Sequence, residues 1–549
     1  MTGAEALVDC LIREDVDTVF GIPGSKFLGA LDAMWFRREE IRFITTRHEQ
    51  GAAFMAMGYA MARGAPGVCY ATLGPGATNL VTGIADAHKN AVPVIALGGM
   101  MASRLLGRDS WQEIDQAGIF RPVTKESAVV PVAESIPLYL RRAFRQATSG
   151  LPGPVYVGIP MDQLAAEIEH RPLAPEEYRA TAAVESRVPA AHLEKILQWL
   201  GAAKTPLILA GRELKWDGLD RQTLDLAERL GLPVLTTAEG HGSLPTTHPL
   251  VMGPTGKGGW PVANECLRGA DFILALGVKF DFHGTGFDHS LVPASAKLVH
   301  VSRHPEFIGT SFPVTLGLAA PLAALVTDLA TEAARRSVPR RDPGRWQEKL
   351  AAWRTSREEK TAQLERVQPL KPQWVAAALR PYAVPGTFFS YDGGNFKRYM
   401  QDGMELDGSG LLFKDDGFGC VGCAFPTALG YKAGRPEARV FCVTGDMGYL
   451  VNAGELETAV RENLPVITVV FNDRGLGNIR EYQVRNHAAR HIGVDYAPVD
   501  YAAAARAFGA HGETVIDPVE VGPAIARALD SGKPAVLDMQ VDPAELAPK

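Results

Sequence analysis

The sequence predicts an α/β fold made of three doubly wound domains, each built on a parallel sheet. Short apolar runs bounded by glycine and proline, such as 92–97 and 272–277, have the length and composition of strands covered on both faces. Segments of helical character separate these runs, and that alternation is typical of parallel sheets wrapped by helices. The length of 549 residues corresponds to roughly three domains of ordinary size.

The composition indicates a globular protein with neither nucleic acid nor membrane as a partner. Hydrophobic residues make up 46% of the chain and charged residues 21%, which is enough apolar material for several buried cores. The net charge is −6 and no basic stripe stands out, which argues against nucleic-acid binding. Residues 1–5 lack the character of a signal peptide and no apolar run could span a bilayer, so we expect a cytoplasmic protein.

Six cysteines in a chain of this length do not form a disulfide framework. Cys420 and Cys423 form a CxxC pattern, which is compatible with a redox pair or half a zinc site. No second CxxC or nearby histidine pair completes four ligands. We therefore favour two small apolar residues in a tight glycine-rich turn.

Two α/β domains are expected before a charged linker. The first covers 1–165 and the second 185–335, which resembles a nucleotide-binding domain although it lacks a GxGxxG motif. Their clearest strands are predicted at 17–20, 67–72, 92–97, 206–211, 272–277 and 298–302. The linker, 336–368, is rich in charged residues and is expected to be helical from Trp346 onward.

The third domain, 369–549, contains a clear βαβ unit. A strand at 438–444, a helix at 453–461 and a strand at 465–471 follow one another. The alternation resembles that of the first domain, so one architecture is expected twice in the chain.

Two aspartates are expected at one edge of the third sheet. Asp446 follows the first strand of the βαβ unit and Asp473 the second, and a right-handed crossover places both strand ends at the same edge. Mg²⁺ prefers oxygen ligands and completes its shell with phosphate oxygens and water. These side chains and a carbonyl near Gly475 therefore predict a Mg²⁺ site. The alternative is two aspartates in ordinary turns, which their 27-residue spacing within the unit disfavours.

Glycines near these aspartates are compatible with a bound phosphate. Gly394, Gly445 and Gly448 would allow the backbone to approach it closely. A helix opening near Asn452 would direct its positive end toward the same group.

Several motifs resemble those of the thiamine diphosphate (ThDP)-dependent enzymes related to pyruvate decarboxylase. The pair 445–446 (GD), followed 27 residues later by 472–473 (ND), is similar to their ThDP-binding motif. Residues 47–53 (RHEQGAA) resemble the catalytic-glutamate motif, and 73–79 (LGPGATN) the segment after it. Residues 416–422 (DGFGCVG) resemble the turn that supports the aminopyrimidine ring. The resemblance extends over nearly the whole chain.

This resemblance implies specific roles for individual residues. Glu49 would hydrogen-bond the aminopyrimidine nitrogen, Val421 would wedge ThDP into a bent form, and Asp446, Asp473 and the carbonyl of Gly475 would bind Mg²⁺. The other implied cofactor contacts are Pro23, Gly24, Thr72, Asn79, Gly394, Asn395, Phe396, Gly419, Gly445, Met447, Gly448, Leu476 and Gly477.

The resemblance also implies that Glu49 of one subunit meets the diphosphate site of another. A homodimer would then be the smallest active unit, and a homotetramer is the alternative.

Among these enzymes, the acetolactate synthases are the most similar, especially across 20–125. The chain lacks the adjacent histidine pair that simple decarboxylases of the family often carry, which favours carboligation of a 2-oxo acid, with pyruvate as donor. Gln112 resembles a catalytic glutamine of the reaction chamber, and Trp111 a wall that limits the donor. The implied substrate contacts are Ser25, Trp111, His283, Ile479 and Tyr482.

Three departures from the acetolactate synthases leave the acceptor and FAD open. His283 stands where a carboxylate-binding arginine is expected, and Tyr482 where a tryptophan selects the acceptor. Residues 302–305 (SRHP) replace an acidic run that contacts FAD, so FAD, another nucleotide or no ligand could occupy the central domain.

Other activities also remain compatible with the motifs. They are a 2-hydroxyacyl-CoA lyase, a sulfoacetaldehyde acetyltransferase, a 2-oxo acid decarboxylase, or a non-catalytic nucleotide-binding protein on a ThDP fold. Glu49, Asp446 and Asp473 argue against the non-catalytic alternative.

Overall fold

The computed structural model describes residues 1–178, 187–408 and 410–548. The start predicted for the central domain, 185, and the last residue, 549, lie outside these ranges. The predicted fold class is confirmed, because the described residues form three six-stranded sheets in which all named strands pair in parallel. The domain boundaries themselves remain a prediction.

The first sheet has the strand order β2-β1-β3-β4-β6-β5. Its strands are β1 (Thr18–Gly21), β2 (Arg42–Thr45), β3 (Gly67–Ala71), β4 (Val94–Met100), β5 (Glu126–Val129) and β6 (Val155–Pro160). Its helices are α1 (Gly3–Arg13), α2 (Leu28–Phe36), α3 (Glu49–Arg63), α4 (Pro75–Lys89), α5 (Gln116–Phe120), α6 (Ile136–Thr148) and α7 (Met161–Ala165). Strands β3 and β4, predicted at 67–72 and 92–97, are buried along their whole length, as their apolar runs predict, and β6 is buried in the same way.

The central sheet has the order β12-β11-β10-β7-β8-β9. Its strands are β7 (Pro206–Ala210), β8 (Val234–Thr236), β9 (Val251–Pro254), β10 (Phe272–Leu276), β11 (Lys297–Ser302) and β12 (Leu316–Ala319). Its helices are α8 (Ala190–Ala202), α9 (Glu213–Trp216), α10 (Asp220–Leu230), α11 (Pro261–Arg268), α12 (Phe282–Thr285) and α13 (Leu322–Arg335). The linker contains α14 (Gly344–Ala362), which begins two residues before the predicted Trp346.

The third sheet has the order β14-β13-β15-β16-β18-β17. Its strands are β13 (Thr387–Tyr391), β14 (Leu412–Lys414), β15 (Arg439–Gly445), β16 (Val466–Asn472), β17 (His511–Val515) and β18 (Ala535–Gln540). Its helices are α15 (Pro372–Leu379), α16 (Phe396–Gly403), α17 (Ala424–Gly434), α18 (Asp446–Val451), α19 (Glu455–Arg461), α20 (Gly477–Asn486), α21 (Tyr501–Ala507) and α22 (Val521–Asp530). In chain order within each domain, this sheet and the first share one arrangement of strands, so the predicted repeat of architecture is confirmed.

The sequence predicted a helix at 453–461 that opens near Asn452, and the predicted start was wrong. A separate short helix, α18, begins directly after β15 at Asp446, and α19 begins only at Glu455. Asn452 ends α18 and its side chain binds the carbonyl oxygen of Gly422 at 2.8 Å. The helix start nearest to β15 is therefore that of α18.

Helices α3 and α17 join the first and third domains in one hydrophobic core. A Cβ atom at Gly58 would overlap the carbonyl oxygen of Thr427, and one at Gly430 would overlap that of Met55. The two helices thus approach each other at glycines on both sides, which places the start of α3 firmly against the third domain. In the described part of the chain, no helix is long and apolar enough to cross a membrane.

Candidate active site

A cavity of about 310 Å³ lies between the third domain and the central domain. The turns that follow β13, β15 and β16 line one part of it, as expected at the carboxyl edge of a parallel sheet. The predicted cofactor residues on its lining are Gly394, Asn395, Phe396, Gly419, Val421, Gly445, Asp446, Met447, Gly448, Asp473, Gly475, Leu476 and Gly477. The structure therefore brings the whole third-domain set together, although their binding role remains a prediction.

Asp446 and Asp473 extend from neighbouring strands of this edge, because β15 pairs with β16. Asp446 is buried; its Oδ1 accepts a hydrogen bond from Met447 N at 2.7 Å and its Oδ2 accepts one from Gly475 N at 3.1 Å. Burial raises the pKa of Asp446 above its ordinary value. Burial, followed by the charge of Asp446, raises the pKa of Asp473 to about 7. Arg480 forms an ion pair with Asp473, with its Nη1 at 3.7 Å from Oδ2.

The residues present fit a divalent cation and a phosphate. A buried and a half-buried carboxylate that repel each other would be stabilised by a cation between them, and hard oxygen ligands suit Mg²⁺. A Cβ atom at Gly445 would meet only the ring of Phe396, at 3.8 Å, so this turn leaves open space for a ligand group. The carbonyl of Gly475 already accepts a bond from Gly477 N at 3.0 Å and retains a second lone pair.

Glu49 lies in the first turn of α3 and is buried. Its Oε2 accepts a hydrogen bond from Asn79 Nδ2 at 3.0 Å. A Cβ atom at Gly76 would lie 3.2 Å from Glu49 Oε1 and 3.0 Å from Thr72 Cγ2, and one at Gly24 would lie 2.5 Å from Thr72 Cβ. Four predicted residues of the first domain, Gly24, Glu49, Thr72 and Asn79, are thus close neighbours. Pro23 precedes this group in an exposed loop.

Glu455 holds the start of α3 against the third domain. Its carboxylate accepts hydrogen bonds from Arg47 N and His48 N at 3.0 Å each, and from Thr458 Oγ1 at 2.7 Å. A Cβ atom at Gly51 would overlap Glu455 Oε1, so the glycine of the RHEQG motif makes room for this carboxylate. Sequence reasoning missed Glu455, because an acidic residue early in a helix is ordinary.

The Glu49 group and the cavity are separate within one chain. Among the described residues, none from 1–165 lines the cavity. Trp111 is 71% exposed, Ser25 is exposed, and neither these two nor Gln112 reaches the cavity lining. Gln112 has φ +63, and its backbone oxygen lies against Gly74, where a Cβ atom would come within 2.5 Å.

The other predicted substrate residues do line the cavity. His283, Ile479 and Tyr482 belong to its wall, and Tyr482 accepts a hydrogen bond from Lys257 Nζ at 2.9 Å. Burial lowers the pKa of His283, so this side chain is mostly neutral at pH 7.

Sequence reasoning missed three lysines on the same wall: Lys257, Lys397 and Lys414. A lysine outside a motif reads as a solvated surface residue. Asp416 was part of a recognised motif without a role of its own, and it also lines the cavity. The only available signal was that two acidic residues, Asp415 and Asp416, directly follow Lys414 at the start of this motif.

The CxxC cysteines are buried and free, as the turn interpretation predicts. Burial raises the thiol pKa of Cys423 well above its ordinary value, and that of Cys420 as well, which disfavours the thiolate that redox chemistry needs. Cys423 lies with Asp86 and Asp415 in a buried group whose ligand-type atoms are within 4.8 Å of one another.

Family models and full-length relatives match this arrangement. Thiamine pyrophosphate (TPP) is another name for ThDP. Three family models for thiamine pyrophosphate enzymes match successive parts of this chain. They are the N-terminal TPP binding domain at 1–119, the central domain at 193–329 and the C-terminal TPP binding domain at 392–539. A probable acetolactate synthase large subunit of Methanocaldococcus jannaschii is 33% identical, over 100% of this chain and 93% of that protein. The chain belongs to the thiamine pyrophosphate enzyme family.

Other relatives of this thiamine pyrophosphate enzyme carry the same kind of name. The acetolactate synthase isozyme 3 large subunit of Escherichia coli is 33% identical, over 99% of this chain and 96% of that protein. The probable acetolactate synthase large subunit of Methanococcus aeolicus is 31% identical, over 99% and 92%. The resemblance drawn from the motifs is thereby confirmed.

The central domain has the strand order of dinucleotide-binding domains. Across the sheet from β9 to β12, neighbouring strands are the third, second, first, fourth, fifth and sixth strands of this domain in chain order. Within 302–305, the segment that replaces the acidic run, Arg303 forms an ion pair with Asp217 at 2.7 Å. Nothing in these contacts selects FAD over another nucleotide, and a ligand of this domain remains a prediction.

Proposed function

We propose that this protein is a ThDP- and Mg²⁺-dependent carboligase that transfers the acyl group of a 2-oxo acid, with pyruvate as first donor, to a second carbonyl compound. The observation that carries the proposal is the pair Asp446 and Asp473 at the glycine-lined cavity, in a chain similar along its length to acetolactate synthase large subunits. Bound ThDP would supply the nucleophilic carbon and the electron-accepting ring that the bond cleavage requires.

The side chains of the chain would bind and orient the reactants. Asp446, Asp473 and the Gly475 carbonyl would hold Mg²⁺ and, through it, the diphosphate. Val421, 44% exposed on the cavity wall, would support the bend of the cofactor. Glu49, oriented by Asn79, would hold a proton at the aminopyrimidine nitrogen.

We propose a homodimer as the minimal active unit, with a homotetramer as the larger alternative. Within a single chain, Glu49 does not line the cavity, so a second chain is needed to bring Glu49 and a cavity together. Exposed apolar side chains on and beside the cavity support burial by a partner. They are Phe418, Val421, Met447, Leu450 and Val451. Six free buried cysteines agree with a reducing compartment such as the cytoplasm.

A turnover assay tests the proposal. Purified protein with ThDP, Mg²⁺ and pyruvate should release CO₂ and form acetolactate. Absence of both products would refute the carboligase assignment for pyruvate. Acetaldehyde in place of acetolactate would favour the 2-oxo acid decarboxylase alternative. FAD is tested in the same preparation, because a bound flavin absorbs visible light.

Replacing Glu49 tests its place in the reaction. Glu49→Gln should abolish turnover, because an amide cannot exchange the proton, while calorimetry should detect ThDP binding close to that of the wild type. Glu39→Gln, at a side chain 91% exposed, is the matched control and should leave activity unchanged. Full activity in Glu49→Gln would exclude the proposed role.

A further inference from the structure

Two lysines and one aspartate form a charged group on the cavity wall, here called the lysine clamp: Lys397, Lys414 and Asp416. Lys397 Nζ lies 3.0 Å from Asp416 Oδ1, and Lys414 Nζ lies 2.9 Å from Asp416 Oδ2. Their side chains are 14%, 5% and 3% exposed, respectively. Burying an ammonium group costs free energy unless charged or polar partners, from the protein or from a ligand, compensate it.

The contacts of the clamp within the chain leave donor hydrogens unused. Besides Asp416, Lys397 binds the carbonyl oxygen of Asp415 at 3.0 Å and Lys414 binds Gln401 Oε1, both uncharged groups. An ammonium has three donor hydrogens, so each lysine retains one beyond these contacts among the described residues. The Asp415 carboxylate, whose charge also acts on Lys397, accepts hydrogen bonds from Phe418 N and Cys420 N and does not line the cavity.

The rest of this wall adds no further acid. Lys257 and the mostly neutral His283 come from the central domain, and Arg398 is paired with Glu481. Among described lining residues, the acids other than Asp416 are Asp446 and Asp473, which the proposed function assigns to Mg²⁺. On the described lining of the cavity, the clamp end therefore carries more positive than negative side chains.

The reacting carboxylate of the donor is a poor ligand for this clamp. That carboxylate loses its charge as CO₂ leaves, so a cation bound to it would stabilise the starting state more than the transition state. An anionic group that survives the reaction carries no such penalty. Two ammonium groups bridged by one carboxylate fit the oxygens of a carboxylate, sulfonate or phosphonate.

We propose that the lysine clamp binds an anionic substituent of the acceptor, so that this enzyme prefers acceptor carbonyl compounds that carry a carboxylate, sulfonate or phosphonate over neutral ones. The inference rests on the proposed carboligase function and specifies the class of its second substrate. Lys397 and Lys414 are then specificity residues, and Asp416 positions them and partly offsets their positive charge.

Matched acceptors test the preference. With pyruvate as donor, succinate semialdehyde and butanal are aldehydes of equal chain length that differ in the terminal carboxylate. The wild type should use succinate semialdehyde with a kcat/KM about tenfold or more above that for butanal. Equal use of the two aldehydes would overturn the proposal.

Substitutions that remove a positive or a negative charge from the clamp should change the acceptor preference in opposite directions. Lys397→Gln and Lys414→Gln should each lower kcat/KM for succinate semialdehyde by about tenfold and leave that for butanal nearly unchanged. Asp416→Asn removes the counter-charge and should strengthen the preference. Lys533→Gln, at an exposed lysine, is the control. An equal loss for both aldehydes, or a weaker ThDP affinity in the lysine variants with an unchanged preference, would overturn the proposal.

A binding measurement separates this inference from the proposed function. Butyrate is an unreactive anion, and 1-butanol is its uncharged counterpart. In ligand-observed NMR on the ThDP- and Mg²⁺-loaded enzyme, butyrate should bind the wild type more tightly than Lys414→Gln, and 1-butanol should not distinguish them. Clamp-dependent butyrate binding without any carboligation would refute the proposed function and support the anion site. Equal butyrate affinity of the wild type and Lys414→Gln would refute the proposed anion site.

Discussion

At the residue scale, a buried carboxyl pair links the first and third domains. Asp86 and Asp415 are both fully buried, and Asn90 Nδ2 donates to Asp86 Oδ1 at 2.6 Å and to Asp415 Oδ1 at 3.1 Å. Burial, followed by the charge of Asp415, holds the pKa of Asp86 well above its ordinary value. Asp86 is therefore protonated in the folded protein at pH values where it would be ionised in the unfolded chain.

This shift predicts the sign of a pH dependence. A carboxyl whose pKa is raised on folding stabilises the fold fully below its unfolded pKa, and this contribution is lost as pH rises toward the folded pKa. Asp86→Asn keeps the shape and cannot ionise, so its stability relative to the wild type should increase from pH 5 to pH 8, by at least about 1 kcal/mol. Urea unfolding of both proteins at the two pH values measures this difference.

The control for this comparison is Asp530→Asn, at the exposed end of α22. It removes one carboxylate without removing a buried pair, so it should not reproduce the change with pH. A difference between Asp86→Asn and wild type that stays constant, or that shrinks as pH rises, would contradict a protonated Asp86.

At the element scale, α3 positions Glu49 through its packing on α17. The close approach at Gly58 and Gly430 and the bonds of Glu455 fix the start of α3 against the third domain. Strands in this region could be predicted because their apolar runs are unbroken. The short α18 could not, because Asp446-Met447-Gly448 reads as a turn and lacks any apolar periodicity.

The packing of α3 on α17 predicts a strong effect of one added methyl group. Gly58→Ala would overlap the Thr427 carbonyl oxygen, a backbone atom that cannot move alone, and should lower the free energy of unfolding by about 1–3 kcal/mol. Gly201→Ala is the matched control, because Gly201 is in α8 with no atom within 4 Å of the added Cβ. Alanine should stabilise that helix by up to about 1 kcal/mol. Thermal unfolding of both variants measures the contrast; equal behaviour would exclude close helix packing at Gly58.

At the scale of the whole molecule, the first and third domains repeat one strand arrangement but carry different predicted site residues. Local motifs made Glu49, Asp446 and Asp473 predictable, because each follows a strand or opens a helix in a recognisable run of residues. Lys397 and Lys414 were not predictable, since α16, which follows β13, and the neighbouring strand β14 bring them together only in the folded third domain. The separation of Glu49 from the cavity also required the full arrangement of domains.

That separation predicts complementation between two inactive variants. Glu49→Gln inactivates the first-domain half of a site, and Asp446→Ala inactivates the cavity half. If each site combines the two halves from different chains, one of the two sites in a mixed dimer has both halves intact. Random reassortment of equal amounts makes half of the dimers mixed, so activity should return to about a quarter of the wild type. Refolding the two variants separately and together, with turnover of pyruvate as readout, measures this. A site formed within one chain would leave every mixed dimer inactive, because each chain would then carry a defect in its own site.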